Sequence, residues 1–165
     1  FRAFAVQHIG AMLKQSDAQQ YARLTERLKS LLSDRHVAVR REALLALVRQ
    51  GEPIGRETAE QWLLQKPSPG DPRSDARDLA IRCVRELDLR QHIPTIRQYL
   101  HDPNDVVRIA AIVALSEWGD EESRSAFEQA AASKVVRLQR AGRAALERLD
   151  AAKKVKESPF AAPKP

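Results

Sequence analysis

One short pattern recurs along this chain of 165 residues, and it restricts the fold more than any other feature. In the stretch "DPNDVVRIAAIVAL", take Val107 as slot zero. Arg108 then follows at +1, Ala111 at +4, Ala114 at +7 and Leu115 at +8, with Asp102 at −5. Val39 heads the same template through Arg40, Ala43, Ala46, Leu47 and Asp34. Ala76 heads it through Arg77, Ala80, Cys83, Val84 and Asp71. Leu138 heads a looser copy (Gln139, Gly142, Ala145, Leu146, with Ser133 at −5), and Phe1 another (Arg2, Ala5, His8, Ile9). Successive copies start 38, 37, 31 and 31 residues apart. Self-similarity at such a period marks a stacked-repeat architecture, in which each unit buries its apolar face on its neighbours.

Slots 0, +4, +7 and +8 fall on one face at 3.6 residues per turn, so each copy predicts a helix with an apolar stripe. Asp34, Asp71, Asp102 and Ser133 read as N-caps of these B helices, since a short side-chain oxygen accepts from the orphan amides of a first turn. Pro72 and Pro103 then fall at the first helical position, where a missing N–H costs nothing. Gly51, Asp88 and Gly119 punctuate three B-helix ends. Small residues at +4 and +7 let a neighbouring helix approach closely. Shorter amphipathic A helices are predicted between them, at about 17–33, 56–65, 90–101 and 120–132. The stretch "QKPSPGDP" at 65–72 is a loop. After Asp150 the run "AAKKVKESPFAAPKP" has three prolines and no apolar period, and reads as a tail rather than a helix. The expected division is a repeat domain over 1–152 and a basic, Pro-rich tail over 153–165. Because the chain opens at slot zero and with Phe, a helix is expected to precede it in a longer chain.

Composition narrows the function classes. The chain is 43% hydrophobic and 30% charged, too apolar to stay disordered. One cysteine excludes an internal disulfide framework and a Cys-rich metal site. Cys83 occupies a small-residue slot, which favours a buried structural thiol over a reactive one. The longest uncharged run, Ala3 to Leu13, has eleven residues and cannot insert across a membrane. The compartment stays open, with a lean to the cytoplasm. The four histidines, His8, His36, His92 and His101, are scattered and lack the i, i+4 spacing of a helical metal pair. His8 falls in a core slot. No nucleophile and base share a recognisable motif, so the sequence predicts neither catalytic residues, nor a metal, nor a cofactor. Trp62 and Trp118 fit helix packing better than ligand stacking. Charge is uneven: residues 1–133 carry 19 Lys/Arg against 19 Asp/Glu, and residues 134–165 carry 9 against 3. That basic end is either a solvated cap or a contact for an acidic protein or for phosphates.

Slots +2, +6 and +9 point away from the apolar stripe. There Arg41, Leu45, Val48, Arg82, Arg85, Ile109, Val113 and Arg140 form a strip that is more apolar than an idle solvent face. Two readings stand, a binding strip on the inner surface of the stack or a wheel rotated so that these residues are core.

Helix pairs with an Asp followed six residues later by an Arg (Asp34/Arg40, Asp71/Arg77, Asp102/Arg108) resemble HEAT repeats, above all the short bacterial form also found in phycobilin lyases. The resemblance covers roughly residues 1–150. It implies an all-α, right-handed α-solenoid of about four and a half helix-pair repeats. It further implies that those Asp and Arg side chains form a hydrogen-bonded ladder between successive repeats. Ser133 and Gln139, which replace Asp and Arg in the last copy, then mark a C-terminal cap. The implied function is a non-catalytic scaffold for protein–protein interaction, its partner a separate protein or another part of a larger assembly. Two alternatives accompany it: a nucleic-acid-binding protein similar to DNA glycosylases of this fold, and an accessory to a chromophore lyase.

Overall fold

The computed structural model describes residues 2–13, 16–65 and 75–157. Asp71 and Pro72 lie outside the described residues, as does everything after Glu157. Among the described residues every regular element is helical, in the order α1 (Arg2–Leu13), α2 (Ala18–Leu31), α3 (Val37–Arg49), α4 (Pro53–Leu63), α5 (Arg77–Glu86), α6 (Ile93–Gln98), α7 (Asp105–Glu117), α8 (Arg124–Ala131) and α9 (Val136–Glu157). Short 3-10 turns flank α6 on both sides and precede α8. Four of these helices, α3, α5, α7 and α9, are the expected B helices, and α2, α4, α6 and α8 are the A helices. The chain falls into two compact units, residues 1–89 and 90–165, where the sequence suggests one repeat body over 1–152.

In the first unit α3 packs against α1, α2 and α4, and α5 packs against α3 and α4. One core cluster gathers Val6, Leu13, Leu28, Leu31, Val39, Ala43, Ala46 and Leu47. Each fully buried leucine contributes about 1.5–3 kcal/mol. In the second unit α9 packs against α7 and α8, and α6 against α7. Val107, Ala111, Leu115, Phe127, Ala145 and Leu149 are all essentially inaccessible there. The slots of α3, α5 and α7 are therefore filled as the template requires. Gly142, at slot +4 of the last copy, lets α8 and α9 approach closely: a Cβ there would lie 2.4 Å from the Ala131 backbone nitrogen.

The B-helix ends repeat in detail. Gly51, Asp88 and Gly119, each at slot +12, have φ of 73°, 50° and 71°. The amide one residue later donates back to the carbonyl at slot +8: Glu52 to Leu47, Leu89 to Val84, Asp120 to Leu115, each at 3.0 Å. This left-handed closure satisfies carbonyls that the last turn would otherwise orphan.

The B-helix starts depart from expectation. Asp34 and Asp102 are not N-caps; α3 and α7 begin three residues later, with His36 and Asn104 as the caps. Asp34 Oδ1 accepts from the His36 amide at 2.8 Å, Asp102 Oδ1 from Asn104 at 2.9 Å, and Ser133 Oγ from Val135 at 3.1 Å. Each closes a tight turn on the amide two residues on, a bond that competes with capping for the same side chain. Pro103 lies inside such a turn rather than at a first helical position. In α5 the turn belongs to Asp75, whose Oδ1 accepts from the Arg77 amide at 3.1 Å, and the helix has 10 residues against 13 in α3 and α7.

Two further corrections concern the ends. In α1 the buried side chains are Val6 and Leu13, so the first copy sits one residue later than the template placed it. His8 is exposed, and its ring meets Phe4 edge-on at 4.7 Å instead of entering the core. At the other end α9 continues through Glu157, so residues 153–157 are helical rather than tail.

Candidate interaction surface

The Asp/Arg positions brace turns. Arg40 Nη1 donates to the backbone carbonyl of Asp34 at 2.9 Å, and Arg108 Nη1 to that of Asp102 at 3.2 Å. The Asp34 carboxylate receives its guanidinium from the preceding copy: Arg2 Nη2 donates to Asp34 Oδ2 at 2.9 Å. The His36 amide, working against partial desolvation, and the Arg2 charge hold the Asp34 carboxyl below its usual range. Arg77 makes a two-pronged pair with Asp75, Nε to Oδ1 and Nη2 to Oδ2 both at 3.0 Å, and both residues are buried. Asp75 escaped the template because Asp71, four residues earlier, met the spacing first.

The proposed strip divides into several environments. Arg41 is committed within the molecule, donating to both oxygens of Asp78 at 2.8 and 2.6 Å. Both occupy slot +2, so opposite charges at one slot of successive copies were the available signal. Val48 is core, 5% exposed. It stands beside slot +8, close enough to the stripe for the packing of Gly55 in α4 to cover it: a Cβ on Gly55 would meet the Val48 nitrogen at 2.8 Å. Leu45 and Arg85 are half-buried, and Arg82 is exposed. In the second unit Ile109 and Val113 are half-buried on α7, and Arg140 is exposed on α9.

Leu45 and Arg82 line an open groove of about 760 Å³ across α1, α3 and α5. Gln7 and Ala11 form its α1 wall, and Glu42 and Arg49 its α3 wall. Arg49, like Arg82, is exposed. The groove thus offers two guanidinium forks beside an aliphatic floor, a combination suited to carboxylates flanking an apolar side chain. Cys83, behind this face, is fully buried, and burial pushes its thiol up to about 12. It is therefore protonated and unreactive near neutrality.

A second set of polar contacts went unread in the sequence. The residue at slot +13, just after each left-handed corner, is Glu52, Leu89 or Asp120. Glu52 accepts from the Tyr21 hydroxyl at 2.7 Å, tying the corner to α2. Asp120 accepts from the Arg97 guanidinium, Nε to Oδ2 at 2.9 Å, and from the Ser123 hydroxyl. Trp62 and Trp118 are both half-buried. Among the described residues no group of three or more His, Cys, Asp or Glu could hold a metal ion, and no helix is long and apolar enough to cross a membrane.

Paired helices in a recurring pattern, with a left-handed corner after each of α3, α5 and α7, define an all-α helical-repeat protein of the α-solenoid class. A family profile described as HEAT repeats matches residues 60–147. The chain belongs to the HEAT-repeat family, whose members are generally protein-interaction scaffolds and typically non-catalytic. No curated protein sequence matches it.

Proposed function

We propose that this chain is a non-catalytic HEAT-repeat scaffold, a module of a larger protein or complex, and that the groove across α1, α3 and α5 binds an extended protein segment. The observation that carries this reading is the pairing of an aliphatic floor at Leu45 with the exposed Arg49 and Arg82 in one open groove. A partner segment with one aliphatic anchor and flanking carboxylates suits it, since buried aliphatics and arginines dominate interface affinity. Arg41 is not assigned that role, because its guanidinium is bonded to Asp78. Peptide display against the protein tests the proposal. Selected peptides should be acidic–aliphatic, and Arg49→Glu with Arg82→Glu should weaken them at least tenfold while helicity and melting stay unchanged. Selected peptides that bind the double variant as tightly as wild type would remove the groove from the function.

The charge of α9 favours a second reading, contact with nucleic acid phosphates. Lys134, Arg137, Arg140, Arg143 and Lys154 are all exposed on or beside this helix. Duplex binding through them would show a steep salt dependence that Arg140→Glu and Arg143→Glu flatten. A salt-insensitive or undetectable interaction would dismiss it.

A further inference from the structure

We propose that the pocket bounded by α7, α8 and the start of α9, where a carboxylate is missing from the Asp/Arg pattern, is a binding site for a ligand's carboxylate group. The contact at the start of the chain shows what such a position does: Arg2, in the first turn of α1, donates to the Asp34 carboxylate at slot −5 of the next copy. In the last two copies the arginine in the first turn of the helix is Arg108, and the residue at slot −5 of the next copy is Ser133. Ser133 carries no charge, and its Oγ already accepts from the Val135 amide, which leaves the hydroxyl hydrogen to donate elsewhere. Arg108 spends Nη1 on the Asp102 carbonyl and Nη2 on Asp105, while its Nε is buried without an acceptor. An unmet buried donor is costly and asks for a partner.

Arg108 and Ser133 line one open pocket of about 370 Å³. His101 and Gln129 add two more groups able to donate, Leu100 and Ile112 supply an apolar wall, and no acidic residue lines it. A lining with several donors and no acid selects an anion, and a guanidinium selects a planar carboxylate best. The volume suits an Asp or Glu side chain or a small carboxylic acid with a short apolar body. Asp105 does not close the site: it is 41% exposed and pairs with Arg108 along the helix surface, a contact of little strength that an incoming carboxylate can share. The site lies within residues 90–165 and stands apart from the groove on the first unit, so it holds or falls independently of the scaffold's proposed docking face.

The test titrates the full chain with acetate and with N-acetyl-aspartate amide, a mimic of a protein Asp side chain, at constant ionic strength in chloride. The Arg108 Nε–H resonance is followed by NMR. The expected result is a saturable shift, absent with the uncharged N-acetyl-asparagine amide. Ser133→Asp should fill the position from within, raise the melting temperature by a few degrees and abolish the shift. Arg108→Lys, followed through the Ser133 backbone amide resonance in both proteins, should weaken binding at least tenfold. Saturation by both probes supports a site for carboxylates of any source, and saturation by N-acetyl-aspartate amide alone supports a partner's acidic side chain. A shift that is linear in concentration, reproduced by chloride, or unchanged in Ser133→Asp overturns the proposal.

Discussion

Asp120 stands at the corner after α7, buried, between the Arg97 guanidinium and the Ser123 hydroxyl. Burial pushes its carboxyl up, but the bonds from Arg97 and Ser123 outweigh burial and leave it below the ordinary 3.8. The folded state then binds fewer protons than the unfolded state around pH 4. Its contribution is complete above the ordinary value and disappears as pH falls through the lowered one. Asp120→Asn should therefore be less stable than wild type by roughly 1–3 kcal/mol at pH 6. The gap should close as the melting curves are taken down to about pH 2. A gap that persists at low pH would show that shape, not charge, sets the role of this side chain. At this scale the sequence was partly readable. The Arg41–Asp78 pair was visible as opposite charges at one slot, but a wheel drawn per helix cannot show a bond between helices. Asp71 and Asp75 were a genuine ambiguity, two acids four positions apart in sequence before the same arginine.

Among the helices, Gly142 shows how strictly the template sets spacing. A Cβ there would meet three backbone atoms of α8, including the Phe127 carbonyl oxygen at 2.6 Å, and backbone cannot rotate away. At Gly10 the nearest neighbour is the Ala46 Cβ, at 3.2 Å. Gly142→Ala should lower the urea midpoint by an amount equivalent to about 1–3 kcal/mol. Gly10→Ala should lower it much less, since one methyl can give by a few tenths of an ångström. Equal losses in the two variants would mean that helix propensity rather than contact decides both. Helix existence and B-helix ends were readable because apolar period and corner residues agree. The α1 register was not, because that helix is apolar around most of its circumference and a one-residue rotation leaves its pattern intact. The α9 end was misplaced because a run of Lys and Ala without apolar period can still be helical; the first proline, at position 159, is the stronger stop.

At the scale of the molecule, the last buried side chain among the described residues is Leu149, 1% exposed, and α9 beyond it is exposed wherever its side chains are described. Truncation after Asp150 should leave cooperative melting within about 2 °C of wild type. Truncation before Ser133 uncovers the apolar faces of α7 and α8, including Leu115 and Phe127, and should give aggregates on size-exclusion chromatography. Similar elution of the two truncated proteins would mean that α9 does not complete the second unit. The constancy of the corners reaches further. From each of α3, α5 and α7 to the next A-helix turn there are three residues, 50–52, 87–89 and 118–120, whereas the described A-to-B connections vary, 32–36, 102–104 and 132–135. Duplication of a unit within such a chain therefore has natural seams. Copies cut and rejoined at the left-handed residue keep both flanking helices in phase, and the other connection is free to gain or lose codons without disturbing the next unit.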